Sequence, residues 1–275
     1  YRIALTEDPD NSIEITKPDN YDPSHYELML RQHEGYEWAG LNDVFAWDRM
    51  PNHKTDINNR GGFSTDMIGA NWDYPEASYA KRDSIAKAHR DYTLGMLYFV
   101  GHDERIPEKI RKEMLRWGLP KDEYIENGHF TPQLYIREAR RMIGQLVMTQ
   151  YHCQGIETAP KAIGWAAYTM DSHNSGRFVV NGRVKNEGNV EMYIPGPYSV
   201  GYGAITPKPS EADNVLVPVC LSASHIAYGS IRMEPVFMVL GESSALAACN
   251  VIDHFDSKVQ KADIDAVMTK FVEIE

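Results

Sequence analysis

Residues 216 to 248, LVPVCLSASHIAYGSIRMEPVFMVLGESSALAA, constrain the fold more than any other stretch of this chain. An apolar, β-branched run from Val215 to Val219 leads into a turn-like group: Ser222, Ser224, His225, Tyr228, Gly229, Ser230 and Arg232. Pro235 then opens a helix, because its fixed φ suits a first helical turn and its missing N–H is not needed there. Val236, Val239, Leu240, Leu246, Ala247 and Val251 recur at three- and four-residue steps and give that helix an apolar stripe. Gly241, Ala245 and Ala248 line an adjacent stripe of small residues, which suits close packing on a sheet. The expectation is a strand, a turn and a closely packed helix, with Pro218 placing the strand at a sheet edge or at its own end.

That order delivers free backbone N–H groups and the positive end of a helix to the edge of a sheet. It suits an anionic or electron-rich ligand atom, with His225 as a proton carrier and Arg232 as a fixed positive charge. The same residues also admit a plain structural reading. In it Ser and Gly shape the turn, His225 is hydrogen-bonded, and Arg232 pairs with Glu234.

The rest of the chain frames this stretch. Residues 7 to 23 are rich in Asp, Asn and Pro and read as a surface loop, with Ser24 capping a short helix through about His33. Asn52 to Asn71 is polar and glycine-bearing, without helical period or strand alternation, and so reads as a long loop with a task. Pro75 suits the start of a helix whose face carries Ile85, Ala88, Tyr92, Met96 and Phe99, and a second helix spans about 107 to 117. After Leu134 the pattern turns to strands: Ile163 to Met170, then Arg177 to Val184 with Asn181-Gly182 as a hairpin tip. A short helix near 263 to 271 ends the chain. The fold class is α+β, with a helical and loop-rich region at 1–133 and a mainly antiparallel β region at 134–275 that carries one packed helix.

The chain has 275 residues, 43% hydrophobic, ample for a substantial core. Its formal net charge of -11 repels phosphate backbones, so neither nucleic acid nor an anionic membrane is an expected partner. The longest apolar run is far below the roughly 20 residues that span a bilayer. Cys153, Cys220 and Cys249 are odd in number and widely spaced, which excludes a disulfide scaffold or a zinc ribbon. Tyr1 to Thr6 already looks like a strand, so the true amino terminus is expected elsewhere and the compartment is not legible.

Three further groups carry chemistry. Arg137, Arg140 and Arg141 suit a carboxylate or cofactor oxygens, or ordinary ion pairing in a chain with 39 acidic residues. Asp171-Ser172-His173 follows a buried-looking strand and would set His173 at its carboxyl end, facing substrate, or hold it there as a structural histidine. Asp56, Asn58 and Asn59 suit a polyhydroxylated ligand or simply a polar loop; their spacing is not that of a calcium loop, and no metal site is expected. Trp38, Trp47 and Trp72 flank that polar segment, where they suit sugar stacking or core packing.

Several blocks together resemble a bacterial family of FAD-dependent oxidoreductases. They are Lys54 to Asn59 with Phe63 to Asp66, Leu134 to Met142, Met170 to His173, Asn186 to Gly188, and the stretch from Leu216 to Ala248. The resemblance runs in order over about residues 1 to 250. It implies a partial Rossmann-type flavoprotein in which His225, His173, Arg137 and Tyr228 are catalytic. Ser224, Ser230, Arg232, Met233, Glu234 and Pro235 would then meet FAD. It further implies a base that removes a hydroxyl proton while hydride leaves for the flavin, on a small polar or saccharide substrate.

The family's G-x-G-x-x-G phosphate cradle has no counterpart in these residues. Gly201-Tyr202-Gly203 is the sole G-x-G, and no helix is expected after it. The chain is therefore expected to be the carboxy-terminal part of such an enzyme and to hold FAD weakly by itself. Some members of the family carry a xanthan-lyase label, so proton abstraction beside a uronate carboxylate is an alternative, and a non-catalytic fragment is another.

Overall fold

A computed structural model describes residues 1–254 and 258–274. The chain divides into two compact units, Tyr1–Ile136 and Arg137–Glu275.

The first unit contains β1 (Ser12–Ile13), α1 (Glu27–Gly35), β2 (Ala46–Met50), β3 (Lys54–Asn58), α2 (Tyr79–His102), α3 (Glu108–Met114) and β4 (Leu119–Pro120). β2 and β3 form an antiparallel hairpin, and β1 pairs with β4. Of the segment expected to be a loop from Asn52 to Asn71, residues 52 to 58 are thus a turn and the strand β3, while 59 to 71 hold neither helix nor strand. Asn52 and His53 take positive φ at the tip, as a tight hairpin requires. Thr55 and Ile57 point inward, while Lys54, Asp56 and Asn58 are half-buried. The alternation is real, but one of its two inward residues is a threonine, so apolar periodicity does not reveal it. Ile3 exchanges backbone hydrogen bonds with Ile57 at 3.1 and 2.9 Å, so the opening segment runs beside β3 through isolated bridges.

Asp22, and not Ser24, caps the short turn before α1, its carboxylate accepting from Ser24 N. Pro75 belongs to a separate 3-10 turn, and α2 starts after Ser78, whose hydroxyl accepts from Lys81 N. Ile85, Tyr92, Met96 and Phe99 face inward as expected, but the buried step between Ile85 and Tyr92 is taken by His89, while Ala88 faces solvent. Trp38 and Trp47 belong to the core of this unit; Trp72 is exposed. Tyr26, Phe45, Phe99 and Phe130 are the largest side chains fully enclosed there.

His89 gives this unit a pH dependence. Its Nδ1 lies 2.9 Å from Ile85 O, and burial holds its pKa below the ordinary histidine value. A group with a depressed folded pKa contributes stability above its unfolded value, near 6.5, and loses it as pH falls through the folded value. Urea unfolding midpoints compared at about pH 7.5 and about pH 5.5 should therefore fall more steeply for the wild type than for His89→Gln. Equal slopes would remove His89 from the account.

The second unit contains α4 (Gln150–Cys153), β5 (Ala162–Ala166), β6 (Met170–Asp171), β7 (Gly176–Val180), β8 (Arg183–Glu187), β9 (Glu191–Met192) and β10 (Tyr198–Gly201). These are followed by α5 (His225–Ile231), α6 (Glu234–Asp253) and α7 (Ile264–Ile274). Its strands form three antiparallel pairs, β5–β10, β6–β9 and β7–β8, the last turning at Asn181 and Gly182 with positive φ at both. The unit is less β-rich than its sequence suggests. Val215 to Val219 does not form a strand: Val215 and Val219 are exposed, and Val217 N donates to Ile205 O. The turn expected after it is the helix α5.

α6 packs on β5 and α7, burying Val236, Leu240, Ala247 and Val251. The close approach comes from the strand side. A Cβ on Gly164 would meet Val239 Cγ1 at 3.0 Å, and Ser243 Oγ donates to Ile163 O at 2.7 Å. Gly241 and Ala245, expected to line that contact, do not form it: a Cβ on Gly241 would meet nothing within 4 Å, and Ala245 is exposed. Among the described residues α6 is the one helix long and apolar enough to cross a bilayer, a property that the count of unbroken apolar residues misses. About 33% of that apolar window is buried inside the protein.

Candidate functional site

α5 and its two ends gather most of the residues singled out in the sequence. Ser224 is the N-cap: its hydroxyl accepts from Ala227 N at 3.3 Å, and its own N–H donates to Met148 O. His225 is the first helical residue and is half-exposed. Its Nδ1 lies 2.6 Å from Glu138 Oε2. A carboxylate only accepts, so Nδ1–H donates and a neutral ring keeps Nε2 as a free base.

The same Glu138 oxygen accepts from Arg141 Nη1 at 3.0 Å, and Arg141 Nε donates to Ala223 O at 3.0 Å. The Arg141 guanidinium lies 5.4 Å from the centre of the Tyr228 ring. Arg141 thus follows the ion-pairing alternative, and the pair holds the carboxylate that orients His225. Glu138 stands 87 positions from its histidine partner, and no spacing rule couples them. The one local signal is the three-residue step from Glu138 to Arg141. Arg137 is half-buried and Arg140 exposed, in a segment that is neither helix nor strand.

The body of α5 is fixed internally. Tyr228 is buried, donates to Val219 O at 3.1 Å, and has its phenol pKa pushed up by burial. Ser230 is fully enclosed: it accepts from Tyr198 OH at 2.7 Å and donates to Tyr168 O. Burial likewise raises the pKa of Tyr198 and of the neighbouring Cys153 thiol. Gly229 lets α5 lie directly on β6, because its would-be Cβ falls against Asp171 O and 3.1 Å from the Asp171 carbonyl carbon.

Arg232 closes α5, and Met233 is the N-cap of α6. Arg232 Nη2 donates to Asp171 O at 3.0 Å, while its Nε is buried without a hydrogen-bond partner among the described residues. Glu234 and Pro235 begin α6 and are exposed. His173, half-buried, lies two residues beyond the Asp171 that Arg232 holds. His225 and Arg232 sit at opposite ends of a seven-residue helix, about 10 Å apart along its axis. They are two points of one element, not one contact pair.

A family model described as FAD dependent oxidoreductase matches residues 1–271. The chain belongs to that family. No curated protein and no solved structure matches the chain.

FAD-dependent oxidoreductases must hold both a dinucleotide and a flavin ring, and the described residues answer the two needs differently. Gly201 and Gly203 are turned into protein: Cβ atoms there would meet Leu146 side-chain atoms at 2.7 and 2.9 Å. Gly201 ends β10 and leads to a short 3-10 turn over Tyr202–Ala204. They do not fit a phosphate cradle. The α5–α6 junction does fit a polar ring edge, because Arg232 Nε is a buried donor without a hydrogen-bond partner among the described residues, beside the N-terminal end of α6.

Proposed function

We propose that the second unit supplies the flavin-edge and proton-transfer groups of an oxidoreductase that removes hydride from a polar, hydroxyl-bearing substrate. The observation that carries this reading is Arg232. Its guanidinium is anchored to Asp171 O, its Nε is buried without a partner among the described residues, and it adjoins the start of α6. A fixed cation and a helix start together favour electron density on a ligand's polar edge. FAD, when bound, supplies the hydride acceptor.

The remaining roles belong to the chain's own groups. Arg232 and the backbone from Met233 through Glu234 and Pro235 face the flavin's polar edge. Ser224 caps the helix that presents His225, and Ser230 with Tyr228 holds that helix against the unit's core. His225, its ring fixed by Glu138, takes the proton from the substrate hydroxyl at Nε2. His173 and Arg137 bind the substrate's polar groups. Saccharides belong to the substrate class because they carry such hydroxyls; the reading commits to the hydroxyl and not to the sugar.

Because Gly201 and Gly203 are filled from behind, the 275-residue chain should not retain FAD by itself. Mixed with excess FAD and desalted, it is expected to elute colourless. Stoichiometric yellow protein would show that these residues build a phosphate site of another kind.

A further inference from the structure

We infer that the first unit carries a separate pocket for a small hydroxylated monocarboxylate, anchored by Arg90. The inference does not depend on the flavin reading. Ala86, Lys87, Arg90, Asp91 and Leu94 recur at helical steps and present one face of α2 to a cavity of about 570 Å³. That volume lies within the range of small-molecule sites. Tyr1, Lys17, Asp19 and Asn127 help complete the wall.

Arg90 is the unusual member. It is half-buried, its guanidinium lies 5.3 Å from the centre of the Phe130 ring, and it makes no hydrogen bond or ion pair to a described residue. Lys17 lies 5.2 Å over the Tyr21 ring and likewise has no carboxylate partner among the described residues. Lys87, by contrast, pairs with Asp91 at 2.6 Å. In a chain of net charge -11 a guanidinium on a cavity wall readily finds a carboxylate, so two unpaired cations at one cavity mark a place left for an external anion.

Charge decides which anion. The lining side chains Lys17, Lys87 and Arg90 outnumber Asp19 and Asp91 by one, so a monoanion neutralises the pocket and a phosphate dianion leaves it negative. The planar fork of Arg90 matches a carboxylate with two parallel hydrogen bonds. Asp19 and Asp91 remain as acceptors for ligand hydroxyls.

The test is a titration of the full chain with D-gluconate at constant ionic strength, followed through the arginine Nε–Hε signals in a nitrogen-correlated NMR spectrum. One arginine signal, missing in Arg90→Lys, should move and saturate. Glucose and inorganic phosphate at the same concentrations should leave it in place. By calorimetry Arg90→Lys should bind gluconate at least about tenfold more weakly, since the charge stays and one charged hydrogen bond is lost. Lys17→Gln, at an exposed position, should weaken binding without touching the fold. Absence of a saturable shift with gluconate overturns the site, and an equal response to phosphate overturns its carboxylate character.

Discussion

His225→Asn should slow reduction of the enzyme-bound flavin by about 10²–10⁴-fold, the range over which a positioned proton carrier contributes. The choice of Asn matters. Its amide N–H occupies the place of Nδ1 and can still donate to Glu138 Oε2, 2.6 Å away in the wild type. What it removes is Nε2, the atom assigned to the substrate proton. Local structure and the Glu138–Arg141 pair should persist, so thermal stability should scarcely change. Glu138→Gln should slow the same step less: Nε2 survives, but the ring loses the carboxylate that fixes its tautomer. The readout is the anaerobic loss of the visible flavin band on mixing a polar alcohol that reduces it with an FAD-retaining enzyme that includes these residues, since the 275-residue chain alone is not expected to hold the cofactor. A His225→Asn enzyme as fast as the wild type would remove His225 from the chemistry.

Gly229→Ala sets two effects of opposite sign against each other. Inside a helix, alanine is favoured over glycine by about 1 kcal/mol, so α5 considered alone predicts a gain. A Cβ at this position, however, runs into Asp171 O and stands 3.1 and 3.3 Å from the Asp171 carbonyl carbon and nitrogen. All three neighbours are backbone, and forced overpacking of this kind costs about 1–3 kcal/mol. The clash should win, with a melting temperature lower by on the order of 5 °C. The same displacement would pull Arg232 from Asp171 O, so flavin properties should change together with stability. A stabilised Gly229→Ala protein would mean that α5 does not rest on β6 as described.

What the sequence discloses depends on whether a feature is local. The Asn181-Gly182 hairpin and the α2 stripe of Ile85, Tyr92, Met96 and Phe99 are local in pattern, and both are present. The β2–β3 hairpin escapes notice because its inward face carries Thr55 beside Ile57, and its tip uses Asn52 and His53 without a glycine. Val215 to Val219 fails in the opposite sense. Its composition is that of a strand, but tertiary context leaves two of its valines exposed. In α5, Ser, Gly and His have the composition of a turn, although Ser224 at the N-cap and Ala227, Tyr228 and Ile231 facing inward make a short helix. At the candidate site the chain positions of His225 and Arg232 are plain from the motif. Their partners, Glu138 at 87 residues and Asp171 at 61, are set by folding alone.

Arg232 is proposed to meet the flavin's polar edge, and the flavin's reduction potential in an FAD-retaining enzyme that includes these residues tests this most directly. Removing the charge with Arg232→Met forfeits a charged hydrogen bond to the more electron-rich form, about 1.5–3 kcal/mol. For a two-electron couple that corresponds to a potential lower by roughly 30–60 mV. Arg232→Lys, which keeps the charge, should recover part of the difference. A potential that Arg232→Met leaves unchanged, in a protein that still folds and holds its flavin, would contradict the account.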